Sequence, residues 1–363
     1  KSSTNSQLSM LVHICCSVDS DYFLKRLCAT QDKSKITAYF YDPNIHPYSE
    51  YLLRLNDVKR SCKKLGIALI AGEYDYESWL KGTKGLENEP EKGERCKYCF
   101  DFRLENTAKK ALELGKKCIT TTLLMSPKKE FKLLENRLKE ISQKYNIEYL
   151  APDFRKGGGT SEQFANAKKE QLYHQNYCGC LYALNMSRAE AHLSELSCPI
   201  SKQIQPASAL ERIKLYKKVE KYEKSSSAFE LRKTRIQNYR LISASLEIDS
   251  KIKPSYILFG SLLPKEKSSF KLEKKAHIAC AKDYIWLVDL KTFNKIAKTK
   301  YKSTKELYFS APSLKKELKV RQKLSGMLSN NPIIVLDKIK TANYTLKLKS
   351  LSFSSTTEIL SKI

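Results

Sequence analysis

The chain has 363 residues, 41% hydrophobic and 29% charged, with a formal net charge of +27. It has no run of roughly 18 apolar residues to span a bilayer, and its opening stretch KSSTNSQLSM lacks the apolar core of an export signal. A bilayer-spanning protein and a secreted disulfide framework therefore drop out. Two domains are expected, in a cytoplasmic location that keeps the 11 cysteines reduced.

Strands and helices alternate through the first half. The apolar run MLVHICC predicts a strand, and SDYFLKRLCAT follows with helical spacing. ITAYFYDPN predicts a second strand. HPYSEYLLRLNDVKRSCKKLG predicts a helix closing on Gly66. IALIAGEY is a third strand, and CKYCFDFRLENTAKKALELG a helix closing on Gly115. KCITTTLLMSP, KEFKLLENRLKEISQKYN and IEYLAPDF continue the alternation, followed by the loop RKGGGT and the helix SEQFANAKKEQLYHQ. Such alternation implies right-handed βαβ units and a parallel sheet, with function at the carboxyl ends of its strands.

A boundary is expected near PISKQIQPAS, dividing an α/β domain over residues 1–200 from a smaller domain over 201–363. Beyond one helix, ALERIKLYKKVEKYEKS, the period shifts towards two, predicting a β-rich α+β domain. Charge follows the same division. Residues 200–363 carry 35 Lys and Arg against 14 Asp and Glu, a net of +21, and the remainder carries only +6. So uneven a balance points to a polyanion, most naturally nucleic acid, as the partner of the second domain. Tyr239, Tyr256, Trp286 and Tyr308 are its candidates for stacking on bases, although Trp286 sits in an apolar strand that suits a core.

Three cysteine clusters stand out: Cys15–Cys16, Cys96–Cys99 and Cys178–Cys180. Adjacent cysteines seldom bond to each other, because the bridge is strained across one peptide. CC and CKYC together offer four thiolates, a set that suits zinc or a [4Fe–4S] cluster. Neighbouring ligands are awkward at a closed zinc site and more natural at a cluster. CGC reads as a redox dithiol, a second metal-binding pair, or two buried thiols. Cys28, Cys62, Cys118 and Cys280 read as core residues. His13, inside the first strand, reads as a satisfied core histidine. Asp19 reads as a helix cap ahead of an iron ligand.

Taken together, HICC, YFYDPNIHPYSEYLLRL, GLENEPEKGERCKYCFDFRLENTA, TTLLMSP, PDFRKGG and HQNYCGC resemble the QueH family of epoxyqueuosine reductases over about residues 10–182. The resemblance implies a Rossmann-like (HUP-type) domain and reduction of an epoxide in the modified wobble base of tRNA. It implies a [4Fe–4S] cluster held by Cys15, Cys16, Cys96 and Cys99, with Cys178 and Cys180 as the redox or second-metal pair. Many family members have a further cysteine where this chain has Asp19, which turns that carboxylate towards an additional mononuclear iron. An external electron donor is implied as well.

Epoxide removal takes two electrons and two protons. Candidate proton donors lie in YDPNIHPY: Tyr41, Asp42, His46 and Tyr48, with His46 foremost. Arg95 is a candidate to offset thiolate charge, and Arg155 and Lys156 suit phosphate contact. Two competing readings are a zinc-stabilised RNA-binding module and a cluster-dependent tRNA thiolase. The thiolase reading needs a glycine-rich phosphate loop where this chain has CCSVDS.

Overall fold

A computed structural model describes residues 8–187 and 197–363, so most of the polar opening stretch lies outside it. The described residues form two compact units. One takes in those up to Ser187 together with Tyr216–Ser227, and the other those from 197 to Leu215 together with Ala228–Ile363.

The first unit is built on five parallel strands: β1 (Met10–Ile14), β2 (Ile36–Phe40), β3 (Ala68–Ala71), β4 (Cys118–Thr121) and β5 (Glu148–Tyr149). Their order is β3-β2-β1-β4-β5, that of a Rossmann-like sheet. Every residue of β1 is buried, as befits a central parallel strand covered on both faces, and this is why MLVHI reads as an unbroken apolar run. His13 is fully buried within it, with Nδ1 2.8 Å from Thr121 Oγ1 and Nε2 3.2 Å from the Tyr41 carbonyl. Burial, aided by Arg103, depresses its pKa well below the usual histidine value, so the ring is neutral. The core-histidine reading holds.

Among the described residues, seven α-helices lie wholly within this unit: α1 (Ser17–Cys28), α2 (Tyr48–Leu65), α3 (Tyr76–Gly82), α4 (Glu94–Glu113), α5 (Phe131–Tyr145), α6 (Gly159–Lys169) and α7 (Leu181–Ser187). Gly66 ends α2 in the left-handed region at φ 62°, the cap its sequence predicts. Buried ion pairs tie the elements together. Asp57 of α2 accepts from Arg60, from the Ser17 hydroxyl and from the Tyr173 amide. The segment Tyr216–Ser227 belongs with this unit because Glu223 pairs with Arg60 at 2.6 Å and Tyr216 packs edge-on against Tyr173. The division of the chain is therefore not a single cut.

In the second unit, β6 (Phe229–Ile248) and β13 (Ala342–Lys362) form a long antiparallel ribbon, flanked by β7 (Lys251–Lys253) and β9 (Lys267–Leu272). A second sheet comprises β10 (Ile278–Ala281), β11 (Ile285–Asp289), β12 (Ile333–Leu336) and β8 (Tyr256–Ile257). Strands β11 and β12 run parallel, and the helices Leu290–Ala297, Thr304–Phe309 and Leu314–Leu324 lie between them in the chain. The expected β-rich α+β unit is thus present, with more helix than its sequence period suggests.

Two expectations for this unit fail. Cys280 is exposed: it lies on the edge strand β10 opposite Trp286, beyond the cover that the helices give this face. Tyr239 is buried, and Tyr256 packs its ring against the core shared with the helices while its hydroxyl bonds Glu317 at 2.7 Å, so both are engaged in packing.

Candidate metal and redox centre

The strand order reverses between β1 and β4, and that switch point locates a crevice at their carboxyl ends. Cys15 follows β1 directly and Thr122 follows β4. The Cys15 amide donates to Thr122 Oγ1 at 3.3 Å. A cavity of about 230 Å³ opens there, and five cysteines line it: Cys15, Cys96, Cys99, Cys178 and Cys180. Asp19 and Asp42 are in its wall, with Arg54, Arg103 and Lys129.

Cys15, Cys16 and Asp19 place their ligand atoms within 4.8 Å of one another. The Cys15 thiol lies 3.8 Å from that of Cys16 and 3.5 Å from Asp19 Oδ2. Cys16 caps α1 through its backbone alone, is 1% exposed and is not part of the cavity wall. Asp19 does not cap the helix. Its carboxylate turns to the thiols and accepts from Gln163 Nε2 at 2.6 Å. That geometry replaces the cap reading with a carboxylate that accepts from the Cys15 thiol and the Gln163 amide.

Cys96 and Cys99 stand three residues apart at the start of α4, on one helical face. Arg103, four residues beyond Cys99, extends that face and bonds Asp42. Burial pushes the Cys99 thiol up to about 11 despite Arg103. Burial also opposes the charge on Lys129, but Cys178, Cys15 and Asp19 outweigh it and hold its pKa above the ordinary lysine value. Arg103 and Lys129 face the thiols, and so does Arg95, a wall residue whose charge acts on Cys96 and Cys180 as its sequence position suggests. The Arg95 guanidinium also donates to the carbonyls of Leu86, Glu87 and Glu89, ordering the loop before α4. Arg155 is engaged too, donating to the carbonyls of Ser126 and Lys129, so it braces the loop that carries Lys129.

Cys178 is exposed and Cys180 buried, the latter pushed up to about 12 by burial and by Cys178. Between them Gly179 has φ +129°, a conformation L residues avoid. A Cβ at this position would lie 3.0 Å from Ile45 and 3.1 Å from Arg54. The Gly179 carbonyl accepts from the His46 amide at 2.8 Å. His46 itself is half-buried with its ring stacked on Tyr76, and it is not part of the cavity wall. Its backbone holds the CGC loop, but the structure does not bring its imidazole to the thiols. Asp42, from the same segment, does reach the cavity.

Arg54, Arg103, Lys129 and Trp79 are wall residues that the sequence reading did not single out. A signal existed for Arg103, whose i+4 spacing from Cys99 sets it on the same face. None existed for Arg54, whose partners Tyr177 and Cys178 are more than a hundred residues away.

A thiol-lined cavity at the switch point of a Rossmann-like sheet defines an α/β protein with a cysteine-rich site. The family profile described as "Epoxyqueuosine reductase QueH" matches residues 10–186. Epoxyqueuosine reductase QueH of Helicobacter pylori is 38% identical over 94% of this chain and 97% of its own length. That of Haemophilus influenzae is 37% identical over 49% of this chain and 72% of its own. That of Thermotoga maritima is 35% identical over 51% of this chain and 94% of its own. The chain belongs to the QueH family. The Helicobacter relative extends through the second unit, whereas the other two match about half of this chain.

Proposed function

We propose that this protein is an epoxyqueuosine reductase acting on tRNA, with its redox centre in the thiol-lined cavity. The observation that carries this reading is the convergence of five cysteines and Asp19 on one cavity, in a chain alike from end to end to a relative of that name.

The donor set fits an iron–sulfur cluster. Five cysteines line one cavity and Cys16 lies 3.8 Å from Cys15 behind its wall, with Arg103 and Lys129 beside them to balance thiolate charge. Cys15, Cys16, Cys96 and Cys99 are the proposed ligands of a [4Fe–4S] cluster. Asp19 is a proposed oxygen donor to an adjacent iron, since its carboxylate already lies against the Cys15 thiol. When bound, such a cluster supplies electrons one at a time.

The remaining chemistry belongs to the side chains. Conversion of the epoxide to the alkene consumes two electrons and two protons and releases water. Cys178 and Cys180 suit a dithiol that becomes a disulfide and gives up two electrons and two protons in doing so. An external donor then restores the thiols. Asp42 is the proposed acid for the leaving oxygen. Burial pushes its carboxyl up to about 7 against the pull of Arg103, Arg54 and Lys129, so it retains a proton near neutrality. One of its oxygens, Oδ2, is buried with no partner among the described residues.

The test is anaerobic purification with iron, sulfide and zinc analysis, followed by incubation with epoxyqueuosine-containing tRNA and a chemical reductant. Queuosine in the digested tRNA is the expected product. A zinc-loaded, colourless protein that leaves the epoxide intact overturns the reading in favour of an RNA-binding module.

A further inference from the structure

The second unit stacks three layers. The sheet of β8 and β10–β12 has one face against the helices, where Val288, Phe293, Val320 and Val335 share a core. Its other face packs on the β6–β13 sheet through Leu287, Ile334, Leu246, Tyr344 and Leu346. The outer face of the β7-β6-β13-β9 sheet is left bare over β9 and the first half of β13. Exposure alternates there with a period of two.

Register decides what this face displays, because directly opposed residues of antiparallel strands share a side of the sheet. Tyr344, Leu346 and Leu348 point inward, so Lys347 and Lys349 point outward with Lys267 and Lys271 of β9. Lys347 lies directly opposite Lys267. Like charges so placed destabilise a sheet, and an anion laid over them removes that cost. The one carboxylate on these strands at this face, Glu247, bonds Lys347 at 2.7 Å. Lys349 comes within 3.9 Å of Glu266 at the rim, where both are exposed and the pairing is weak. Between the lysines lie the hydroxyls of Ser269 and Thr345, 3.0 Å apart, with Ser243 on the neighbouring strand. Hydroxyls and ammonium groups both donate to phosphate oxygens. Ile252 is the large apolar side chain at the edge, too little for an apolar partner or a bilayer.

We infer that this sheet face binds the phosphodiester backbone of the tRNA, with Lys267, Lys271, Lys347 and Lys349 as the side chains that meet its phosphates. The inference rests on the proposed tRNA substrate and adds where the second unit grips it. The face reads shape and charge, not bases.

The experiment measures binding of the full chain to an unmodified tRNA transcript by fluorescence anisotropy across a salt series. In the variant K267Q/K271Q/K347Q/K349Q, binding should weaken at least tenfold at low salt. The slope of log K against log salt should flatten by roughly 3, at about 0.7–0.9 for each phosphate left without its lysine. A control, K315Q/K316Q/K319Q/K323Q, removes the same charge from the helix Leu314–Leu324 and should leave most of the slope in place. E247Q frees Lys347 and should tighten binding several-fold, a gain that misfolding cannot imitate. A quadruple sheet variant that keeps the wild-type slope, or equal losses in both quadruple variants, overturns the inference. A wild-type chain that binds the transcript with no salt dependence overturns the tRNA-gripping reading itself, and the inference with it.

Discussion

Arg54 holds Cys178 in place. Its guanidinium donates to the Cys178 carbonyl at 2.9 Å and to the Tyr177 carbonyl at 3.1 Å, while its Nε bonds Glu50 at 2.8 Å. Both Arg54 and Glu50 are buried. One fork thus joins a helix after β2 to the loop that brings two thiols to the cavity. Arg54→Lys keeps the charge opposite Glu50 but loses the fork. Turnover should fall about tenfold or more with iron content unchanged. Arg54→Ala strands Glu50 and should cost about 3–5 kcal/mol in stability. Wild-type turnover in Arg54→Lys would show that the loop needs no such anchor.

Gly179 is the second anchor of that loop. Its φ of +129° strains any L residue, and an added methyl group would press on the side chains of Ile45 and Arg54. Gly179→Ala should cost about 1–3 kcal/mol and displace Cys178 and Cys180 from the cavity. A lowered melting temperature together with lost turnover is the expected result. An alanine variant as active and stable as the parent contradicts it.

The cysteines divide by placement. Cys96 and Cys99 line the cavity, whereas Cys62 is buried in the hydrophobic core of the first unit and pushed up to about 12 by burial and Asp21. Cys96→Ala or Cys99→Ala should lose iron and the broad visible absorption, and Cys62→Ala should keep both. Cys178→Ser should keep iron and lose epoxide reduction. Equal iron content in the first three variants sinks the ligand assignment. Iron loss in Cys178→Ser makes that cysteine a ligand instead of a dithiol partner.

What could be read in the chain was what is local. The βαβ alternation, the Gly66 cap and the three cysteine clusters each lie within a few residues of their own signal. Hairpin turns in the second unit were hidden because they lack glycine. Asp249–Ser250 and Lys282–Asp283 adopt positive φ in pairs, the type I′ geometry that asparagine and glycine usually announce. The helix Leu290–Ala297 buries Leu290, Phe293, Ile296 and Ala297, a helical spacing short enough to pass for a strand end. The fate of His46 was hidden for another reason. The sequence placed it in the right loop, but which side chain of that loop faces the cavity is decided by Tyr76 and Gly179, far along the chain. Asp42 and His46 are four residues apart, and only Asp42 reaches the cavity.

Asp42 carries the last prediction, which is one of pH. Its carboxyl is raised from 3.8 to about 7, chiefly by burial, with Arg103, Arg54 and Lys129 pulling the other way. Below that pH the folded protein holds a proton there, and above it the group ionises. As an acid, Asp42 serves while protonated, so the reduction rate should fall as pH rises through about 7. Stability follows the same sign. Between the ordinary carboxylate range and about 7 the folded state binds a proton that the unfolded state releases, so this group's contribution declines as pH rises across that window. Asp42→Asn keeps an oxygen for Arg103 but has no proton to lose. It should lower the maximal rate about a hundredfold and abolish both the alkaline fall in rate and this share of the pH dependence of melting. Rate profiles of the two proteins, taken with the same iron loading, decide the matter. If the alkaline limb survives in Asp42→Asn, the proton comes from elsewhere, and the raised carboxyl serves only to neutralise a buried pair.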